Sequence, residues 1–112
     1  MFRALLAVCA ILFACAATPA SAGPFDNWAA LVVAGDYRAH SGADSDVFDN
    51  ARRDLVTDLK KMGFAESHIQ QYSAKPERDP VTMPGRSDGA TIYRNFEGLT
   101  ERVTGGCFVY FT

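Results

Sequence analysis

The sequence predicts an α/β domain with a mainly parallel sheet. Two apolar runs, Trp28–Gly35 and Cys107–Phe111, lack a regular alternation of polar and apolar residues, which is typical of strands covered on both faces. Two amphipathic segments and a weaker strand, Ile69–Ser73, lie between them. The predicted order is therefore strand, helix, strand, helix, strand. Strands that run the same way need helices to carry the chain back, so this order favours a parallel sheet.

The segment after the first strand predicts a polar loop, Asp36–Asp44, and then a helix that ends near Met62. Ser45 or Asp46 can cap this helix, because either side chain can accept a hydrogen bond from its free amide groups. Gly63 suits the left-handed conformation that ends a helix. We expect the apolar stripe of this helix to pack on the sheet. Its residues recur every three or four positions: Val47, Ala51, Leu55, Leu59 and Met62.

The polar residues of the first helix are expected to face solvent. Arg52–Asp54 predicts a charged outer face. Asp49 and Asn50 lie near the helix start, where capping or a surface position is the simplest interpretation and support of a cleft is the alternative.

The second half of the chain begins with a predicted surface loop. Prolines and glycines recur in residues 74–89, and they exclude a helix or a central strand there. A second helix follows and is expected to end at Gly105-Gly106. Its apolar residues are Ile92, Phe96, Leu99 and Val103. The run Cys107–Phe111 then predicts a third buried strand, in which Cys107 is a small buried apolar residue.

Residues 1–22 predict a signal peptide. A positively charged start precedes the apolar run Ala4–Ala17, and Ala20-Ser21-Ala22 supplies the small residues that precede cleavage. We expect cleavage before Gly23 and export to the periplasm or the cell exterior. The apolar run is too short to span a bilayer, and no later segment is long enough. Cys15 offers an alternative, a lipoprotein processing site with a lipid anchor.

The composition of the predicted mature chain excludes several classes of function. Cys107 is then its only cysteine, so an internal disulfide is excluded. Ten basic residues stand against thirteen acidic ones, a net charge of −3 without a basic run, and this argues against a nucleic-acid partner. His68 has no second ligand at metal spacing, so no metal site is predicted.

Three segments resemble the legumain-like cysteine peptidases, which share the caspase-like fold. They are Trp28–Asp36, Val47–Asp54 leading to Gly63-Phe64, and Gly106–Thr112. The resemblance implies a three-layer α/β fold with a mainly parallel sheet, and it is closest to the exported bacterial branch. In that branch a strand like Phe108–Thr112 runs directly into Ser-His-Gly, whose histidine is the catalytic base, and the cysteine nucleophile follows a further strand.

The resemblance also implies that residues 23–112 are the incomplete N-terminal part of a peptidase domain, truncated after the third predicted strand. The catalytic histidine is expected just after Thr112 and the cysteine further on, so the chain alone is expected to be inactive. In the family, a cysteine thiolate attacks the peptide carbonyl, histidine transfers protons and an acyl-enzyme is hydrolysed. The implied partner is a peptide or protein substrate, and no metal or other cofactor is needed.

Arg38 and His40 are the candidate substrate-binding residues. They follow the first strand together with Asp36, at the edge where parallel sheets place ligands. A guanidinium group there can bind a carboxylate or an amide, whereas a solvated loop position is the alternative for both residues. The family's pocket arginine comes from this region, but alignment back from Gly63 puts Val47 at its position. The substrate preference therefore stays open.

Two other interpretations of the chain stay open. One is a noncatalytic exported binding module that recognises a small molecule or a cell-envelope partner at the same edge. The other is a small structural or interaction protein that is complete at Thr112, although Phe108, Tyr110 and Phe111 would then be poorly covered. A dyad of Cys107 and His40 is excluded, because they lie at opposite ends of parallel strands about 17–20 Å apart.

Overall fold

The computed structural model describes residues 23–112, so the predicted signal peptide and Cys15 lie outside the described residues. These 90 residues form one sheet of four parallel strands in the order β3-β2-β1-β4. The strands are β1 Trp28–Ala34, β2 Ile69–Ser73, β3 Gly85–Arg86 and β4 Gly106–Phe111. The helices are α1 Val47–Met62 and α2 Gly89–Thr100. The predicted α/β class and the parallel sheet are confirmed.

Strand β1 lies at the centre of the sheet, and helices cover both of its faces. Ala30 and Val32 belong to an apolar core with α1, whereas Leu31 and Val33 belong to a second core with α2. Successive side chains of a strand point to opposite faces. Both sets of positions are therefore buried, which explains why the sequence of β1 is apolar without alternation.

Helix α1 faces the sheet with a different stripe from the predicted one. Its buried residues are Asp49, Arg52, Val56 and Leu59, which follow one another at spacings of three and four. Val47 and Met62 are exposed, and Leu59 is shared by the predicted and observed stripes. The predicted charged outer face is wrong for Arg52, which is 0% exposed. A stripe of apolar residues alone leaves out Asp49 and Arg52, which are buried as an ion pair.

The two ends of α1 agree with the predicted turn chemistry. The Ser45 hydroxyl accepts a hydrogen bond from the Val47 N–H at 3.2 Å, whereas the Asp46 side chain makes no capping hydrogen bond. Gly63 has a φ of 104° and ends the helix in the left-handed conformation. The next residue, Phe64, is buried in the core between α1 and the sheet.

The segment between β2 and α2 is more ordered than the predicted loop. It contains a 3₁₀ turn at Pro76–Arg78 and the two-residue strand β3, which pairs with Tyr72 and Ser73 at the outer edge of the sheet. A proline-rich segment can form a short edge strand because one side of such a strand needs no backbone partner. Helix α2 ends at Thr100, before the predicted end at Gly105-Gly106.

Strand β4 forms where a third strand was predicted, but one of its faces is exposed. The prediction that this strand is buried is therefore wrong. It pairs with β1 on one side and lies at the edge of the described sheet. Val109 is 54% exposed and Phe111 is 63% exposed, and Cys107 is exposed rather than buried. The reason is the position of α2, which packs on Leu31, Val33 and Tyr72 of β1 and β2 and leaves this face of β4 open.

Neither α1 nor α2 is long and apolar enough to cross a bilayer, and the same holds for every helix within residues 23–112.

Candidate functional site

The carboxyl ends of β1, β2 and β4 lie side by side. We call this end of the sheet the carboxyl edge. The Gly35 N–H donates to the Thr112 carbonyl oxygen at 2.9 Å, and the Ala74 N–H donates to the Ala34 carbonyl oxygen at the same distance. The segments that follow β1 and β2 are therefore neighbours at this edge. Parallel sheets place their ligands at such an edge, so we describe it as the candidate site.

A polar cavity of about 380 Å³ opens at this edge, next to the first turn of α1. Its lining side chains are all charged: Asp44, Asp46, Asp49, Arg53 and Arg78. The volume lies in the range of small-ligand sites, but such sites are usually lined mainly by apolar groups. The cavity is therefore suited to a polar or charged group rather than to an apolar ligand.

Arg78 joins the two segments that border the cavity. Its guanidinium group lies 2.5 Å from an Asp44 oxygen and 3.4 Å from an Asp46 oxygen. The hydrogen bond from Arg78 lowers the pKa of Asp44 below its usual value, and the same bond raises the pKa of Arg78. Both groups are therefore charged at neutral pH, and the pair holds the β1–α1 loop against the residues after β2.

The Tyr37 ring is surrounded by three cationic side chains. The Lys75 amine lies 4.3 Å from the ring centroid, and the guanidinium carbons of Arg38 and Arg78 each lie 5.6 Å from it. These distances fall within the range of cation–π attraction. Tyr37 therefore contacts cationic side chains from both the segment after β1 and the segment after β2.

A buried ion cluster lies beneath the cavity, with Arg52 at its centre. The Arg52 Nε donates to Asp49 at 2.9 Å, and one terminal nitrogen donates to Asp79 at 2.6 Å. The other terminal nitrogen donates to Gln71 and to the Thr82 hydroxyl. The cluster thus ties α1 to β2 and to the segment after β2, in which Lys75 and Arg78 lie.

The carboxylates of this cluster have further donors. The Ser73 hydroxyl donates to Asp49 at 2.9 Å, and Thr82 donates to Asp79 from both its N–H and its hydroxyl group. Burial raises the pKa of Asp79, but the hydrogen bonds from Thr82 and Arg52 outweigh it and hold the pKa well below the usual value. Asp79 is therefore ionised across the physiological pH range. Its bond to Arg52 links the segment after β2 to α1 beneath the cavity.

The two predicted substrate-binding residues lie in the loop after β1, at the carboxyl edge. Arg38 is exposed, and its Nε lies 3.5 Å from the Asp36 carboxylate. The N–H groups of Tyr37 and Arg38 donate to Asp36 and lower its pKa. His40 is exposed in the adjoining turn. Neither Arg38 nor His40 lines the polar cavity, and their role in binding stays a prediction.

Cys107 and His40 lie at opposite ends of the sheet. Cys107 pairs with Ala29 near the amino end of β1, whereas His40 follows the carboxyl end of that strand. His68 lies with its Nδ1 2.9 Å from the Asp26 carbonyl oxygen. The described residues hold no cluster of three side chains that could bind a metal ion. The edge can thus bind and orient a polar group, but it carries no thiol–imidazole pair.

Sequence reasoning missed most of the charged residues of this edge. Arg52 lies three residues after Asp49, four before Val56 and seven before Leu59, which is the spacing of one helix face. That pattern was the available signal for its burial. Asp79 and Arg78 lie in a segment without a regular period, so their partners could not be predicted.

Comparisons with models of known protein families, with curated proteins and with solved structures found no match to this chain.

Proposed function

We propose that residues 23–112 are the N-terminal part of an exported cysteine peptidase domain of the legumain-like family, whose catalytic histidine and cysteine follow Thr112. The resemblance of three segments to that family motivates the proposal. The structural observation that supports it most is the position of Thr112 beside Gly35 at the carboxyl edge.

This position suits the proposed chemistry because residues that follow neighbouring parallel strands meet at one edge. A histidine just after Thr112, within Ser-His-Gly, would lie close to the loop that carries Arg38 and His40. A further strand paired with β4 would cover Val109 and bring a cysteine at its own carboxyl end to the same place.

In this proposal the residues of the chain bind and orient the substrate, and the residues beyond Thr112 perform the reaction. The thiolate attacks the peptide carbonyl, the amide bond breaks as histidine protonates the leaving amine, and water then hydrolyses the acyl-enzyme. Arg38 offers a fork of donors to a substrate carboxylate or amide. The Arg52 cluster holds the two edge segments in position. The chain of 112 residues is therefore inactive by itself.

The test is a peptidase assay on two proteins, the 112-residue chain and the longest protein that its source DNA encodes in frame. We expect the longer protein to cleave fluorogenic peptides and the 112-residue chain to be inactive. Alanine at the histidine after Thr112 should abolish cleavage, whereas Cys107→Ser should retain it. A longer protein without thiol-dependent cleavage, or one that needs Cys107, contradicts the proposal.

A noncatalytic binding module is the second candidate, and the fully charged lining of the polar cavity favours it. Such a lining is complementary to a zwitterionic or otherwise polar ligand. Isothermal titration of the 112-residue chain with a panel of amino acids and short peptides tests it. Binding that is lost in Arg53→Met and Arg78→Met, but retained in Arg94→Met on α2, supports the module.

A further inference from the structure

The described residues begin with a short segment that packs on the C-terminal end of helix α1. Gly23 and Gly63 are in close contact, because a Cβ at Gly23 would lie 3.1 Å from both the Cα atom and the carbonyl oxygen of Gly63. The Phe25 ring stacks on the Phe64 ring with centroids 5.0 Å apart. The Asp26 N–H donates to the Gly23 carbonyl oxygen at 3.1 Å. These contacts hold Gly23 against the end of the helix.

The C-terminal end of α1 attracts positive charge. The aligned peptide dipoles of a helix give this end about half a negative charge. The last four carbonyl groups of a helix have no partner within it, and here those of Leu59 and Lys60 accept from the Phe64 and Gly63 N–H groups. A cation placed beside this end stabilises the helix further.

The last turn of α1 carries two lysines, and each is paired with a carboxylate. The Lys60 amine lies 2.6 Å from Glu66, and the Lys61 amine lies 3.4 Å from Asp58. The carboxylates offset the lysine charges, so the lysines repel a further cation at this end only weakly.

The main-chain nitrogen of Gly23 lies close to this end of α1. It is bonded to the same Cα atom as a Cβ at Gly23 would be, so the two positions are about 2.5 Å apart. That Cβ would lie 3.1 Å from the Gly63 carbonyl oxygen, so the nitrogen is within about 6 Å of the same oxygen. Gly23 is half-buried, and a charge on its nitrogen therefore keeps contact with water.

We propose that removal of the leader between Ala22 and Gly23 completes the cap of α1 and stabilises the fold. Hydrolysis of this peptide bond uses one water molecule, which gives OH to the Ala22 carbonyl carbon and H to the Gly23 nitrogen. The released amine is mostly protonated at neutral pH, so cleavage creates a positive charge beside the helix end. In the precursor the same nitrogen belongs to a neutral amide. The exported protein is therefore more stable after cleavage than before it.

This inference rests on the predicted cleavage site and not on the peptidase proposal. An exported binding module would gain the same stabilisation. Lipid anchoring at Cys15, the alternative, would leave residues 16–22 attached to Gly23 and would release no amine there. The amino terminus and the stability of the exported protein test this inference, whereas the activity of the longer protein tests the peptidase.

The first test is export of the protein with its own leader, followed by mass spectrometry of its amino terminus and by urea unfolding. We expect the exported chain to begin at Gly23. A variant with one alanine inserted after Ala22 should begin at that alanine, which moves the ammonium group one residue away from α1. Its ratio of folded to unfolded protein should be about two- to fivefold lower. An amino terminus of the unchanged protein at another residue, or equal stability of the two proteins, overturns the proposal.

Two further measurements separate the charge from the added residue. Transamination of the amino-terminal glycine with pyridoxal phosphate removes the charge and should cause the same two- to fivefold loss, whereas the alanine-extended chain, treated in the same way as a control, should change by less than about twofold. Both differences should shrink by at least about half in 1 M sodium chloride, where the screening length is only about 3 Å. No loss on transamination, or a loss that is unchanged by salt, overturns the proposal.

Discussion

Replacement of Arg52 by methionine tests the buried ion cluster most sharply. The change keeps an unbranched side chain of similar length but removes the charge that Asp49 and Asp79 share. Asp49 keeps its bond from Ser73, and Asp79 keeps its bonds from Thr82. Asp49 is nevertheless left buried without a guanidinium partner, and Asp79 keeps only the partly exposed Arg53 at 3.5 Å. A buried charge that loses its partner is the costly outcome for a buried ion pair.

The expected loss follows from the burial of Arg52. Removal of one partner from a buried ion pair costs about 3–5 kcal/mol, whereas small domains are stable by only about 5–15 kcal/mol. Arg52→Met should therefore lower the free energy of unfolding by at least about 3 kcal/mol. For a domain of this size the melting temperature should fall by at least about 12 °C.

The adjacent arginine provides a matched control. The Arg53 side chain is 37% exposed and lies 3.5 Å from the same Asp79 carboxylate, so Arg53→Met should cost about 1 kcal/mol or less. Urea unfolding, followed by circular dichroism and by Trp28 fluorescence, measures both variants. Asp79→Asn, alone and with Arg52→Met, completes a double-mutant cycle with an expected coupling above about 1 kcal/mol. Equal small losses at Arg52 and Arg53, or additive effects in the cycle, would refute the reasoning.

Three further predictions concern acid, glycine packing and backbone strain. The lowered pKa of Asp79 contributes stability that is present above its unfolded pKa near 4 and is lost as the pH falls through the folded pKa. Urea midpoints should fall below about pH 4, and less steeply in Asp79→Asn; equal slopes would contradict this. A Cβ at Gly106 would lie 2.9 Å from Trp28 ring atoms, so Gly106→Ala should destabilise by about 1–3 kcal/mol. Gly98→Ala, in open space on α2, should instead stabilise by about 0.5–1 kcal/mol, and thermal melts compare the two. Met83 has a φ of 44°, so Met83→Gly should raise the melting temperature slightly, and a fall would contradict the strain.

The fold was largely predictable because its signals are local. The central strand β1 is apolar throughout, and Gly63 ends α1 in the conformation that glycine favours. Such features depend on neighbouring residues alone. The order of strands and helices, and with it the parallel sheet, followed from them.

The burial of individual residues was less predictable because it depends on partners distant in sequence. Arg52 is buried only because Asp79, twenty-seven positions later, supplies its charge partner. Phe111 and Cys107 are exposed because α2 covers β1 and β2 rather than β4. A strand's own sequence does not reveal which neighbours cover it, so β4 resembled a central strand.

The sequence predicted which strand ends form the carboxyl edge, but it did not predict the charged cavity there. The position of Arg38 and His40 after β1 followed from the strand order. The ion pair of Arg78 with Asp44 joins two segments that have no fixed separation in sequence. Only the folded chain brings them together.

The proposed peptidase needs catalytic residues beyond Thr112, and the most direct measurement is the nucleotide sequence of the source DNA beyond the codon for Thr112. We expect an open frame that continues into Ser-His-Gly and later into an apolar strand that ends in cysteine. A stop codon directly after Thr112, or a continuation without that histidine and cysteine, would contradict it.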